Sequence, residues 1–124
     1  SVFILNNQFK LINFKRYKKM RKLTQEIVKA FLNGNKKTKG NTSTDGQSIW
    51  LHGNQIVETN QDGKIVINNC GWGTVTTRER LNGLLNEIAP HLGVVQRNFD
   101  QYIQDSNNDY ALTPFEGDYI VGSK

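Results

Sequence analysis

Three glycine-centred turn signals stand close together in the middle of the chain: Asp45-Gly46, Gly53-Asn54 and Asp62-Gly63. Each supports the positive φ angles of a tight reversal, and strands joined by such short reversals pair antiparallel. Between and after them lie Ser48-Ile49-Trp50-Leu51-His52, Gln55-Ile56-Val57-Glu58 and Lys64-Ile65-Val66-Ile67-Asn68, all rich in β-branched or aromatic residues. These runs predict an antiparallel meander with a lead-in strand over 40–44. Strand side chains alternate, so Ile49 and Leu51 are expected on one face, Trp50 and His52 on the other.

Two helices flank the meander. Leu23, Ile27, Val28 and Phe31 share one helical face, and Gly34 after Asn33 suits a helix end, which predicts a helix over 24–33. A lysine- and glycine-rich loop over 35–40 is expected to lead out of it. Thr76-Thr77-Arg78-Glu79 matches a capping box, and Leu81, Leu84, Leu85 and Ile88 follow at i, i+3, i+4, i+7, so a second helix is expected to lie on the sheet and end near Pro90. Gly83 inside it costs about 1 kcal/mol of helix stability. Val94–Arg97 and Phe99–Ile103 predict a further hairpin turning near Arg97-Asn98, then a polar loop over 105–109 and a last short strand over 119–121. The fold class is α+β: a small antiparallel β-meander packed by two helices, with an additional C-terminal β-hairpin. Residues 20–124 form a single domain, because no repeat or proline-rich linker divides them.

Charge is distributed unevenly. The net charge is +5, yet residues 1–39 carry 11 Lys and Arg against the single acid Glu26, while residues 40–124 carry 5 bases against 10 acids. The densest run is Lys15, Arg16, Lys18, Lys19, Arg21 and Lys22, followed by Lys36, Lys37 and Lys39. Cations at this density repel one another, and a surface of phosphates relieves that repulsion while releasing counterions. These nine residues are therefore the candidate nucleic-acid contacts; the plainer reading is a solvated basic arm. Residues 1–19 precede the only methionine, Met20, and read as a basic and apolar extension: a genuine arm, an added segment, or sequence upstream of a start at Met20. The basic run follows the apolar stretch Val2–Leu5 rather than preceding it, which is not the order of a secretion signal, and a cytoplasmic location is expected. No apolar run approaches the roughly 20 residues of a membrane-spanning helix, so a membrane partner is not expected.

Candidate chemistry is sparse. One cysteine, Cys70, and two histidines, His52 and His91, leave no metal-ligand cluster, and no metal or cofactor is expected. Cys70 follows a β-run, where a buried small hydrophobe is the ordinary reading. An enzyme would need an open pocket joining His52 to a carboxylate, so a non-catalytic protein is expected. Gly71-Trp72-Gly73 precedes the second helix. Trp72, Arg78 and Arg80 could form an anion and aromatic site at that helix start, with Trp72 stacking on a base. The preferred reading is structural: a tight strand-to-helix turn with Trp72 plugging the core.

Leu51-His52-Gly53-Asn54, Gly71-Trp72 and Thr76-Thr77-Arg78-Glu79-Arg80-Leu81-Asn82, with Ala30-Phe31-Leu32-Asn33-Gly34 near the start, resemble a family of small phage-encoded proteins of unassigned function. The resemblance runs from Met20 to about residue 104 and implies a viral or prophage origin, but no activity. The composition agrees with it. Asn, Lys and Ile, residues with A/T-rich codons, make up 36 of 124 positions. The expected function is that of a small phage accessory protein, non-catalytic and nucleic-acid-binding. The alternative is a protein- or ligand-binding module acting on a host factor, marked by an exposed aromatic patch that includes Trp50 or Tyr102.

Overall fold

The structure, a computed structural model, describes residues 21–124; the apolar stretch and Lys15, Arg16, Lys18 and Lys19 lie outside the described residues. Residues 21–32 form helix α1, which buries Thr24, Ile27, Val28, Ala30 and Phe31. Its end is built as the sequence anticipates. Gly34 takes φ +73°, the Gly34 N–H donates to the Phe31 carbonyl and the Asn35 N–H to the Ala30 carbonyl, the paired bonds of a left-handed helix stop.

The meander forms as expected and is longer at both edges. Strands β1 (Lys37–Lys39), β2 (Thr42–Thr44), β3 (Ser48–Leu51), β4 (Asn54–Thr59) and β5 (Lys64–Ile67) pair in sequence order, and β9 (Tyr119–Ser123) pairs antiparallel with β5 to close a six-stranded sheet. The expected loop over 35–40 is therefore half strand. Strand β1 carries no apolar signal because it is an exposed edge, where lysine discourages further pairing. The reversal assigned to Gly53-Asn54 falls one residue earlier. Leu51 pairs with Asn54, and His52 (φ 51°) and Gly53 (φ 80°) form the two-residue turn. Such a turn needs positive φ at both central positions, so the residue before the glycine must also be left-handed. A bulge between β3 and β4 leaves Ile56 unpaired with β3, and this is how neighbours Ile56 and Val57 are both buried.

The C-terminal hairpin becomes a three-stranded sheet of β6 (Leu92–Arg97), β7 (Asp100–Asp105) and β8 (Ala111–Pro114). Its first turn is Asn98-Phe99, both at positive φ, so Phe99 sits at the tip and not in the strand. The polar loop holds a short 3₁₀ turn, Ser106–Asn108, capped by the Asp105 carboxylate, which accepts from the Asn107 N–H at 2.9 Å. Val94, Ile103 and Phe115 from this region join Ile49, Leu51, Ile65, Ile67, Leu81, Leu84 and Leu85 in one core.

Helix α2 spans Val75–Ile88, two residues longer at its start than the capping-box reading implies. Thr74 is the cap, and its hydroxyl accepts from the Thr77 N–H at 3.1 Å; Glu79 takes no part. Either cap presents the same leucine stripe, and the earlier one also buries Thr77, whose hydroxyl lies 2.9 Å from that of Thr74.

Gly83 has a purpose that helix propensity conceals. A Cβ there would stand 2.2 Å from the Thr24 methyl of α1, so glycine lets the two helices meet. At the same junction Arg80 is 4% exposed. Its Nη1 donates to Thr24 Oγ1 at 2.7 Å, its Nε to Thr42 Oγ1 at 2.9 Å and its Nη2 towards Asn41 Oδ1 at 3.4 Å, joining α2 to α1 and β2. Gly83→Ala should destabilise by about 1–3 kcal/mol in urea denaturation despite alanine's better helix propensity. Adding Thr24→Ser, which removes the methyl and keeps the hydroxyl for Arg80, should restore most of the loss. Arg80→Lys, which replaces a planar fork of donors with one ammonium, should cost about 2 kcal/mol by the same measurement.

Candidate functional site

The segment between β5 and α2 is a chain of asparagine-fixed turns. Asn68 Oδ1 accepts from the Cys70 N–H at 2.7 Å, while Asn68 Nδ2 donates to Asp118 Oδ1 at 2.7 Å. Asn69, itself buried, accepts from the Gly71 N–H at 3.1 Å, and the Trp72 N–H donates to the Asn69 carbonyl at 2.8 Å. Cys70 and Gly71 both take positive φ. These turns carry the chain away from the core, which Leu81, Leu84 and Leu85 already fill, and two expectations fail as a result. Cys70 is exposed, its thiol directed to the Gln55 carbonyl at 3.0 Å. Trp72 does not plug the core; it is 58% exposed.

Trp72 instead walls a cleft of about 360 Å³. Leu51 and Ile56 supply apolar surface, and His52, Asn54, Asn69, Thr74, Thr76 and Thr77 complete it. The bulge on β4 and the His52-Gly53 turn set the sheet side, and the start of α2 sets the other. His52 Nε2 lies 3.5 Å from Asn41 Nδ2, which ties the β3–β4 turn to the β1–β2 turn. No carboxylate lines the cleft among the described residues, so His52 meets no acid partner there. The other aromatics named as a patch, Trp50 and Tyr102, are half-buried on strands of different sheets.

The two arginines named with Trp72 serve the fold. Arg78 Nη1 donates to the Gly73 carbonyl at 2.9 Å, to Gln96 Oε1 at 2.8 Å and to Gln101 Oε1 at 3.2 Å, fastening the helix start to the three-stranded sheet. Arg80 lies in the second turn of the helix, because the cap is two residues earlier than the motif suggests, and it points inward to Thr24 and Thr42. Burial lowers its pKa, an effect the neighbouring Glu79 opposes.

The described members of the basic run lie elsewhere, on α1 and on and just before β1. Arg21, Lys22, Lys36, Lys37 and Lys39 are all exposed. Lys39 forms an ion pair with Glu26, and Lys39, Lys37 and Lys22 together hold the Glu26 carboxyl below its ordinary range. Lys39 alone touches the carboxylate; Lys37 and Lys22 act on it through their charge. No signal in the sequence shows that β1 brings Lys37 and Lys39 beside α1, since the strand carries no apolar pattern that would reveal it.

These features define a small α+β domain with a cationic edge and a separate walled cleft. Residues 20–122 match the family model described as Kyanoviridae Gp96 protein, and the chain belongs to that phage-encoded family of unassigned function. The match contains the Leu51–Asn54, Gly71-Trp72 and Thr76–Asn82 strings. No curated protein and no solved structure matches the chain. Among the described residues no helix is long and apolar enough to cross a membrane.

Cys70 offers a direct test of the loop. Partial burial, and then the charge of Asp118, push its thiol above the ordinary value. Only the thiolate reacts, so iodoacetamide should alkylate this exposed cysteine more slowly than a free cysteine at about neutral pH, with the rate rising at more alkaline pH. Asp118→Asn should speed the reaction. A rate equal to that of free cysteine would show that the loop does not hold the thiol as described.

Proposed function

We propose that this phage protein is a non-catalytic nucleic-acid-binding protein that lays its α1–β1 face against phosphates. The observation that carries this reading is that the Lys39–Glu26 ion pair joins β1 to α1, so that exposed Arg21 and Lys22 on α1 and exposed Lys37 and Lys39 on β1, with Lys36 just before it, belong to two elements in contact. In sequence, Lys15, Arg16, Lys18 and Lys19 lead directly into α1 and extend the same excess of positive charge. Exposed ion pairs such as Lys39–Glu26 contribute little and are readily exchanged for a phosphate partner. Contacts of this kind are made to the backbone, so binding is weakly sequence-specific. The reading places the protein in the cytoplasm of an infected or lysogenic bacterium.

A second reading, a module that docks on a host protein, draws on Phe99. This residue is 91% exposed at the tip of the β6–β7 hairpin with φ +70°, a conformation that bulky side chains rarely adopt. Capture of a host protein that is lost in Phe99→Ser would favour it.

Affinity for DNA or RNA, measured by fluorescence anisotropy, should fall steeply between roughly 50 and 200 mM salt. Replacing Lys36, Lys37 and Lys39 together with glutamine should flatten the log–log salt dependence by about 2–3 and leave the circular dichroism unchanged. Affinity that ignores both salt and these substitutions would remove the basis for the proposal.

A further inference from the structure

We propose that the cleft beside Trp72 binds a nucleobase, stacked on the indole and hydrogen-bonded at its edge by Asn54 and Thr76. The strand reading of this site, with the base's own phosphates on the α1–β1 face, rests on the nucleic-acid function proposed above; the cleft itself does not.

Four observations converge. First, Trp72 is held outward by a fixed loop. Its backbone N–H, and those of Cys70 and Gly71, are all bonded to Asn68 or Asn69, so the main chain that carries the exposed ring is fixed. A pre-positioned aromatic face gives up little entropy when a base stacks on it. Second, the cleft joins an apolar floor, Leu51 and Ile56, to polar groups that no described protein group bonds. The Asn54 carboxamide, the Thr76 hydroxyl and the Trp72 indole N–H make no hydrogen bond among the described residues, whereas Thr74 and Thr77 bond each other and Asn69 bonds its loop. A carboxamide both donates and accepts, which is what the amide-like edge of a base requires.

Third, no carboxylate, lysine or arginine lines the cleft among the described residues, so its interior suits an uncharged planar group of small-ligand size, at about 360 Å³. Nothing here depends on an anion at the start of α2, where Thr74 already takes the Thr77 N–H. Fourth, the sheet register leads from the cationic edge to the cleft. Lys39 pairs with Thr42, Thr42 with Leu51 and Leu51 with Asn54, so the Lys39 backbone is two strand spacings, roughly 10 Å, from the cleft floor. A sugar also stacks on indole, but lysines on β1, two strands from the cleft floor, match a ligand that carries phosphate.

The test uses the full chain in a Trp50→Phe background, which leaves Trp72 as the sole tryptophan. Its fluorescence and the binding anisotropy are read with three probes: a short oligothymidylate, an abasic oligonucleotide of the same length, and free thymidine. The expected result is that oligothymidylate quenches Trp72 and that Trp72→Ala weakens its binding by roughly 5- to 100-fold, while the abasic strand binds both proteins equally. Trp72→Phe should recover part of the loss. Quenching by thymidine without binding of either strand would uphold the cleft as a site for free nucleosides and overturn the nucleic-acid reading. Equal binding of both strands, with no quenching by any probe, would overturn the base site and leave the cationic face standing. Silence from all three probes would overturn both.

Discussion

The buried guanidinium of Arg80 is the interaction on which the arrangement of the other elements depends. A cation taken out of water is costly unless its donors are met, and here the fork reaches Thr24 on α1 and Thr42 on β2, with Asn41 at a longer distance. Thr42 Oγ1 in turn donates to Asn41 Oδ1 at 2.8 Å, so the acceptors are themselves aligned. The helices can approach closely enough for this only because Gly83 has no side chain where it meets Thr24. Thr24 therefore answers two demands at once, a methyl against glycine and a hydroxyl for arginine. This polar junction fixes the first helix to the second at one end, while Phe31, Leu84 and Leu85 close the apolar interior.

The candidate surfaces follow from that junction. Because α1 is held beside β1, Lys39 of the strand pairs with Glu26 of the helix. Because α2 is capped at Thr74 and its leucines face the sheet, the preceding loop is left outside the core and displays Trp72. The cleft arises where two local irregularities meet, the bulge at Ile56 and the turn at His52. Both are departures from regular strand pairing of the kind that re-aims side chains at sites of function. The family match shows a phage origin; the contacts of the two surfaces are those proposed, phosphate at the cationic face and a base in the cleft.

Much of this was legible in the chain. Hydrophobic periodicity located both helices, and turn chemistry located the strands of the meander, because these signals arise from neighbours a few residues apart. Errors fell where such signals compete or vanish. Three threonines in four positions offer two caps, and only the burial of Thr77 decides between them. Strand β8 is exposed throughout and β1 is all lysine and threonine, so neither shows an apolar alternation. Cys70 and Trp72 have the composition of core residues, yet a left-handed turn supported by Asn68 and Asn69 carries both to the surface.

The sequence by itself determined the α+β class, the helix faces, the order of the meander strands and a strong cationic bias toward the N-terminal side. Those properties depend on local periodicity, turn residues and charge counting. Tertiary structure alone decided that Arg80 belongs to the interior, that Gly83 is a contact surface, that Lys37 and Lys39 stand beside α1 and that Trp72 walls a cleft. Each of these requires two different elements to be packed together, and a side chain's role there depends on what the other element places opposite it.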